Sequence, residues 1–337
     1  MGLNHTVRIV PHERSISVAE DVAVLAGAQL AGLPLPHSCR SGRCGSCRAR
    51  LLSGRVEYPG AAPLGLSEQE ARQGYVLLCQ VRARSDLVVE ARLIQSAATA
   101  EIKLLPSRIV RRTLLAPDVM QLLLRVPSVE PLECRAGQYI DILLEGGLRR
   151  SYSVANAPGT GVELELHVRQ VPGGVFSDAV FGTLRAGALL RIEGPLGRFI
   201  YQSGPEPVIF IAGGTGFAPL KAMLSQALAE DSSRPLALYW GAREASGIYE
   251  QALLHAWVQQ HPRLEVHTVL SQMPAGAPHR AGWVHEAVLE DHPSLASFRI
   301  YAAGPPALIE AIKLTFPARG AQPQWLYLDS FDYAAAP

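Results

Sequence analysis

The sequence predicts a multi-domain α+β and α/β chain: a small α+β domain over residues 1–95, an antiparallel β-barrel over 107–203 and a parallel-sheet α/β domain over 204–337. Three observations lead there. The first segment sets alternating strands and one helix around a cysteine-rich loop, the second is a series of apolar or alternating runs cut by Gly and Pro, and the third alternates strand with helix to its end. Between the first two, the small, polar stretch QSAATAEIKLLP ends in proline and suits a linker over 96–106.

Composition removes several classes of function. Lys and Arg number 31 against 30 Asp and Glu, a net charge of +1, so no global basic field draws the chain to nucleic acid or to an acidic membrane surface. No uninterrupted apolar run approaches the roughly 18 residues of a membrane span. The opening MGLNHTVRIV lacks an apolar signal core, which points to a reducing cytoplasm where structural disulfides are rare. MGLNHT also fits a myristoylation pattern and Asn4-His5-Thr6 a glycosylation sequon, but the chain runs from them directly into an alternating strand.

The loop HSCRSGRCGSC (37–47) carries the chemistry of the first domain. Cys39, Cys44 and Cys47 are spaced C-x4-C-x2-C, and Cys79 follows after a longer gap. Zinc ribbons favour paired C-x2-C units, a redox dithiol needs one pair, and bacterial four-iron ferredoxins use C-x2-C-x2-C. The plant-type [2Fe-2S] spacing is what remains, and Gly42 and Gly45 free the loop to turn its N–H groups toward inorganic sulfide. Cys134, the fifth cysteine, reads as a small buried hydrophobe. Around the loop, TVRIV, CRARLLSG, YVLLC and DLVVEAR read as strands, which puts Cys79 in the core. DVAVLAGAQL (21–30) reads as a helix with Val22, Leu25, Ala26 and Leu30 on one face, ended by Gly32. Residues 1 to about 95 resemble the plant-type ferredoxin domain, which implies a β-grasp-like fold with Cys39, Cys44, Cys47 and Cys79 as the iron ligands. Many such ferredoxins are acidic near the cluster, whereas Arg40, Arg43 and Arg48 here favour the reduced, more negative state.

In the barrel segment, RIVRRTLLAPDVMQLLLRVP, QYIDILL, RSYSVAN, VELELHVRQ and LLRIEG are the strands, and VFSDAVFGTL (175–184) is the one helical stretch. Gly173 and Gly174 precede it, so its first N–H groups, with the Ser177 hydroxyl, suit a phosphate. RSYS (150–153) and GGVFS (173–177) resemble, in order and spacing, the two flavin motifs of the ferredoxin-NADP reductase family. The resemblance assigns Arg150 to a flavin phosphate, Tyr152 to the isoalloxazine or ribose and Ser153 to flavin N5, with Gly173, Gly174, Val175 and Ser177 at the second phosphate. That second phosphate favours FAD over FMN.

The third domain opens on PVIFIA and the turn GGTGFAP (213–219). Gly213, Gly214, Thr215 and Gly216 permit a tight turn and close pyrophosphate approach, and Pro219 suits an early helical position. GGTGFAP, WGAR with Gly241 and Arg243, and AAGPP with Gly304 and Pro305 resemble the nicotinamide domain of the same family. Ala303 stands where many members have cysteine, so the help of a thiol in orienting nicotinamide is absent. At the end, LYLDSF maps the family's acid and flavin-covering aromatic onto Asp329 and Phe331, although FDYAAAP continues beyond them. HTVLSQ supplies Ser271 but puts Gln272 where NADP-using relatives have arginine, which favours NADH, while Arg243 leaves NADPH possible.

Taken together, the resemblances imply a reductase carrying electrons from NAD(P)H through FAD and the cluster to a partner protein. Such chains resemble the reductase components of Rieske aromatic-ring oxygenases, the expected partner. They also resemble reductases serving pyridoxamine-dependent CDP-hexose 3-dehydrases in deoxysugar biosynthesis, the alternative. A flavin/iron-sulfur redox sensor is the option from another class, but a sensor has no need of a complete nicotinamide site.

Overall fold

The computed structural model describes residues 3–37, 42, 45, 47–63, 65–91, 93, 101–157, 159, 161–230, 233–272 and 279–331. The chain forms two compact units, Met1–Thr99 and Ala100–Pro337. In the first, strands β1 (Asn4–Val10) and β2 (Arg14–Ala19) form a hairpin, helix α1 (Val24–Leu30) follows, and β3 (Arg48–Ser53), β4 (Val56–Glu57), helix α2 (Glu68–Arg72), β5 (Tyr75–Leu77), β6 (Arg82–Ala83) and β7 (Leu87–Glu90) complete it. The main sheet runs β2-β1-β7-β3-β5, with β1 and β7 parallel and the other pairs antiparallel. Alternation places Val7, Ile9, Ile16 and Val18 inside, where they meet α1.

The buried face of α1 differs from the sequence expectation. Val24, Leu25 and Ala28 point inward, and Leu30 is 87% exposed. The helix starts three residues later than 21, and Gly27 sits so close to β2 that a Cβ would lie 2.7 Å from a Val18 methyl. That close approach fixes which face turns in.

The second unit begins with a six-stranded antiparallel barrel. Its strands are β8 (Lys103–Ala116), β9 (Val119–Arg125), β10 (Tyr139–Leu143), β11 (Arg149–Ser153), β12 (Glu163–Arg169) and β13 (Leu189–Leu196), with α3 (Val175–Phe181) between the last two. The order is β11-β10-β13-β8-β9-β12, and a Val154–Leu166 bridge brings the two ends together. Strand β8 starts inside the stretch expected to be linker: Lys103–Pro106 pair with Arg191–Gly194.

The rest of this unit is a parallel sheet covered by helices. Strands β14 (Val208–Gly213), β15 (Leu236–Ala242), β16 (Leu264–Leu270), β17 (Arg280–Ala281), β18 (Arg299–Gly304) and β19 (Leu326–Ser330) alternate with α4 (Phe217–Ala229), α5 (Gln251–Gln260), α6 (Val284–Asp291) and α7 (Pro306–Thr315). The order β17-β16-β15-β14-β18-β19 reverses direction at β14, so the ligand crevice of such a sheet lies beyond the carboxyl ends of β14 and β18. Barrel and sheet share one core: Ala116, Val119, Phe199 and Tyr201 pack with Phe210, Phe217, Met223 and Tyr301. The boundary at 203/204 therefore crosses a single unit.

Candidate active site

Cys47 and Cys79 are 3% and 9% exposed in the core of the first unit; Cys39 and Cys44 lie outside the described residues. The two described thiols are held together by main chain, because the Leu78 N–H donates to the Cys47 carbonyl at 3.1 Å. The turn around Cys79 is anchored on its other side by Tyr58, whose hydroxyl accepts from the Leu77 N–H at 3.0 Å. Burial pushes the Tyr58 phenol up, as do the neighbouring Cys47 and Cys79 sulfurs. Gly42 and Gly45 have φ of 78° and 74°, the left-handed region open to glycine. Two buried thiols on segments joined by main chain, with left-handed glycines in the preceding loop, fit a ferredoxin cluster. Cys134 sits apart in the barrel core as the small buried hydrophobe expected, and burial pushes its thiol up to about 12.

In the barrel, β11 places Arg150 and Tyr152 on one face and Ser153 on the other, opposite Tyr139. Tyr152 lies 5.4 Å, centroid to centroid, from Phe176 of α3, so the RSYS strand and the GGVFS turn meet. Burial pushes the Tyr152 phenol well above its ordinary value. The two adjacent arginines divide the work. Arg149 pairs with Glu193 and Asp141, whereas Arg150 has no carboxylate partner among the described residues and contacts the Arg149 carbonyl at 2.9 Å. A guanidinium without a carboxylate partner among the described residues fits a phosphate, and the buried Ser153 hydroxyl bonds none of the described residues. Ser177 does not behave as expected. Its hydroxyl accepts from the Val171 N–H at 3.1 Å and faces the Val171 and Gly174 carbonyls at 3.2 and 3.1 Å, so it braces the turn and is not left over for a ligand. Gly174 belongs to the same brace, since a Cβ there would lie 2.5 Å from Ser177 Oγ.

At the sheet's switch point the two nicotinamide motifs touch. A Cβ on Gly216 would lie 1.9 Å from the Ala303 carbonyl oxygen, and one on Gly304 would lie 2.9 Å from Gly213 Cα. Phe331 joins this junction through its N–H, which donates to the Gly304 carbonyl at 2.8 Å, and Asp329 is buried opposite Ala303. Pro219 is the third residue of α4, where its missing N–H costs nothing. Gly241 is demanded by Val284, whose Cβ would come within 2.8 Å of an added Cβ. Ser271 and Gln272 donate their N–H groups to the Ala242 and Arg243 carbonyls at 3.0 and 2.8 Å, so Arg243, exposed and without a carboxylate partner among the described residues, stands beside them.

Sequence reasoning missed Arg169. It reaches from β12 of the barrel onto the glycine turn, its two terminal nitrogens each 3.0 Å from where a Gly214 Cβ would be. The signal was the alternation in VELELHVRQ, which puts Glu165, His167 and Arg169 on one strand face; that pattern resembles an ordinary solvated face.

A cysteine-held iron site, a flavin strand and a dinucleotide turn in one chain define an NAD(P)H-dependent flavin and iron-sulfur oxidoreductase. Comparison narrows this class. Residues 7–84 match the family described as a 2Fe-2S iron-sulfur cluster binding domain, 106–201 an oxidoreductase FAD-binding domain and 210–314 an oxidoreductase NAD-binding domain. The chain is 36% identical over 308 residues, 91% of its length and 92% of the relative's, to the CDP-6-deoxy-L-threo-D-glycero-4-hexulose-3-dehydrase reductase of Yersinia pestis. It is also 36% identical over 303 residues to the ferredoxin–NAD(P)+ reductase component of the naphthalene 1,2-dioxygenase/salicylate 5-hydroxylase systems of a Ralstonia species, covering 89% and 90%. The crystal structure of the Amycolatopsis cytochrome P450 reductase GcoB superposes with a TM-score of 0.80 at 34% identity over 98% of this chain and 100% of that one. The chain belongs to the family of single-chain reductases in which a ferredoxin domain is joined to FAD- and NAD-binding domains, and its electrons pass from NAD(P)H through FAD to the cluster. No helix among the described residues is long and apolar enough to cross a membrane.

The purified protein should carry about two irons, two acid-labile sulfides and one FAD per chain, read by metal analysis and by acid release of the flavin. Stoichiometric zinc with no visible iron band would contradict this.

Proposed function

We propose that this chain is the reductase component that takes electrons from NADH and hands them singly to a Rieske aromatic-ring oxygenase. One observation carries the donor side: Arg169, on β12 of the barrel, lies against Gly214 of the sheet, which supports a flavin and a dinucleotide meeting where barrel and sheet join. Arg150 holds a flavin phosphate, Tyr152 lies along the isoalloxazine or ribose, and the Ser153 hydroxyl faces flavin N5. The backbone at Gly173, Gly174 and Val175 receives the second phosphate. Gly213, Gly214, Thr215 and Gly216, with Arg169, take the nicotinamide pyrophosphate. Gly304 and Pro305 border the nicotinamide, and Phe331 covers the flavin beside Asp329. When bound, FAD supplies the conversion of a two-electron hydride into single electrons.

The acceptor is supported by likeness alone. The Ralstonia relative is named for a dioxygenase and hydroxylase system, which supports an oxygenase. The Yersinia relative supports the alternative, a pyridoxamine-dependent CDP-hexose 3-dehydrase. Anaerobic, NADH-reduced protein mixed with each acceptor separates them: rapid bleaching of a Rieske oxygenase is the expected result, and turnover with the dehydrase only would overturn the oxygenase assignment.

NADH should be used with a higher kcat/KM than NADPH, by about tenfold, the worth of one charge-assisted contact. Gln272 cannot pair a 2′-phosphate as arginine would, and Arg243 is the remaining cation at that edge. Arg243→Ala should therefore remove what NADPH activity exists and spare NADH. Equal use of the two nucleotides by the unaltered chain would refute the preference.

A further inference from the structure

Three alternate residues on one face of β12 each grip a different part of the nicotinamide module. Arg169 lies on Gly214, His167 Nδ1 is 3.1 Å from the Tyr249 hydroxyl, and Glu165 Oε1 is 2.7 Å from Lys221 Nζ. Lys221 lies five residues past Gly216 in α4 and also donates to Glu250 at 2.9 Å. The spacing of Glu165, His167 and Glu250 would suit a cation, with ligand atoms within 4.8 Å of one another, but the Lys221 ammonium already supplies the positive charge there. Glu250 takes this place in a left-handed backbone conformation, φ 56°, which is costly for a residue with a Cβ.

Glu165 is tied equally firmly to the flavin strand. Its N–H donates to Asn156 Oδ1 at 2.8 Å, and its carbonyl accepts from the Ala155 N–H at 2.8 Å. Ala155 and Asn156 follow Ser153 by two and three residues. One residue thus joins the strand that presents Ser153, through its main chain, to the helix that opens from the glycine turn, through its carboxylate. Burial alone would push that carboxyl up, but the hydrogen bond from His167 and the Lys221 ammonium hold it down at about 2.

We propose that the Glu165–Lys221–Glu250 network is a positioning element that sets the nicotinamide turn against the flavin strand for hydride transfer, and is not merely a fold-stabilising contact. An apolar seam of similar shape would hold barrel and sheet together as well or better, whereas a slip in register here would leave a buried charge unpaired. In the step concerned, the C4–H bond of the reduced nicotinamide breaks and an N–H bond forms on the flavin ring. Both electrons move with the hydrogen, and oxidised nicotinamide remains. Such a transfer is steep in distance and angle, so a small slip in register slows it without removing the contacts that bind the dinucleotide.

The inference rests on NADH being the reductant of this chain, which the unaltered protein tests separately: no flavin reduction by NADH there would sink the proposed function itself. Lys221→Met and Glu165→Gln are made in the full chain and mixed anaerobically with NADH in a stopped-flow instrument. The limiting rate of flavin bleaching should fall about tenfold or more while the Kd for NADH changes by less than about threefold. The long-wavelength charge-transfer absorbance of the nicotinamide–flavin complex should weaken. Amide exchange should quicken over residues 213–222 and stay unchanged in β10 and β13. Dithionite-reduced variants should still pass electrons to cytochrome c at the unaltered rate, since that half of the path does not use the clamp. Glu165→Gln, the milder change, decides if Lys221→Met does not retain FAD. A limiting rate within about twofold of the unaltered protein, or a loss of rate that only tracks lost FAD, overturns the proposal.

Discussion

Cys47→Ala should leave NADH-driven reduction of ferricyanide within a few-fold of the unaltered protein while cytochrome c reduction and turnover with the acceptor protein fall about a hundredfold. Three thiolates do not hold a [2Fe-2S] cluster as four do, so the route beyond the flavin is cut. The donor half should survive because its cores contain no residue of the first unit: one is shared by barrel and sheet, one lies inside the barrel and one on the opposite face of the sheet. The core around Cys47 is likewise built only from the first unit. Loss of the iron absorbance with retention of the flavin spectrum is the accompanying observation. Full turnover with the acceptor in Cys47→Ala would place the cluster off the electron path.

What was legible beforehand follows from periodicity and from Gly and Pro. The strands of the barrel and the alternating strands and helices of the sheet appear where VELELHVRQ, PVIFIA or LEVHTVL put them, because period-2 and continuous apolar runs report burial directly. The first turns of β8 were hidden. Small, polar residues and Pro106 read as a linker, yet β13 supplies partners from Lys103 onward, a tertiary fact that no local propensity carries. The inward face of α1 is not legible in the apolar pattern, which favours Leu30, because Gly27 controls the approach to Val18.

The site divides in the same way. Arg150 and Tyr152 were legible as a motif, and the structure adds that Arg149, its neighbour in sequence, is neutralised by Glu193 whereas Arg150 is not. Ser177 was legible in type but not in role, because its hydroxyl is consumed by Val171, six residues upstream. Arg169, Glu165 and Lys221 are illegible as a cluster: each gains its contact only where barrel and sheet meet, and their separations in sequence, such as 56 residues for Glu165 and Lys221, carry no spacing rule. Cys39 and Cys44 rest on sequence alone.

Gly216→Ala should cost the second unit about 3 kcal/mol, seen as a fall of roughly 5–10 °C in its melting temperature, and lower kcat/KM for NADH about a hundredfold. The backbone at Gly216 has φ −57° and ψ −13°, a conformation alanine adopts freely, so no intrinsic strain enters. The whole effect is steric: the new methyl would sit 1.9 Å from the Ala303 oxygen and 2.4 Å from its carbon, and both are main-chain atoms that no rotamer change can move aside. Either the glycine turn or the end of β18 has to shift, which separates GGTGFAP from AAGPP at the point where the nicotinamide is expected to lie. The barrel keeps its own core, so the flavin should remain bound and reducible by dithionite. Gly159→Ala is the matched control in the same unit, since among the described residues its methyl would meet only the Ala157 oxygen at 3.9 Å, and it should change stability by no more than about 0.5 kcal/mol. A Gly216→Ala protein with unaltered melting temperature and unaltered KM for NADH would mean that the two motifs do not meet as described.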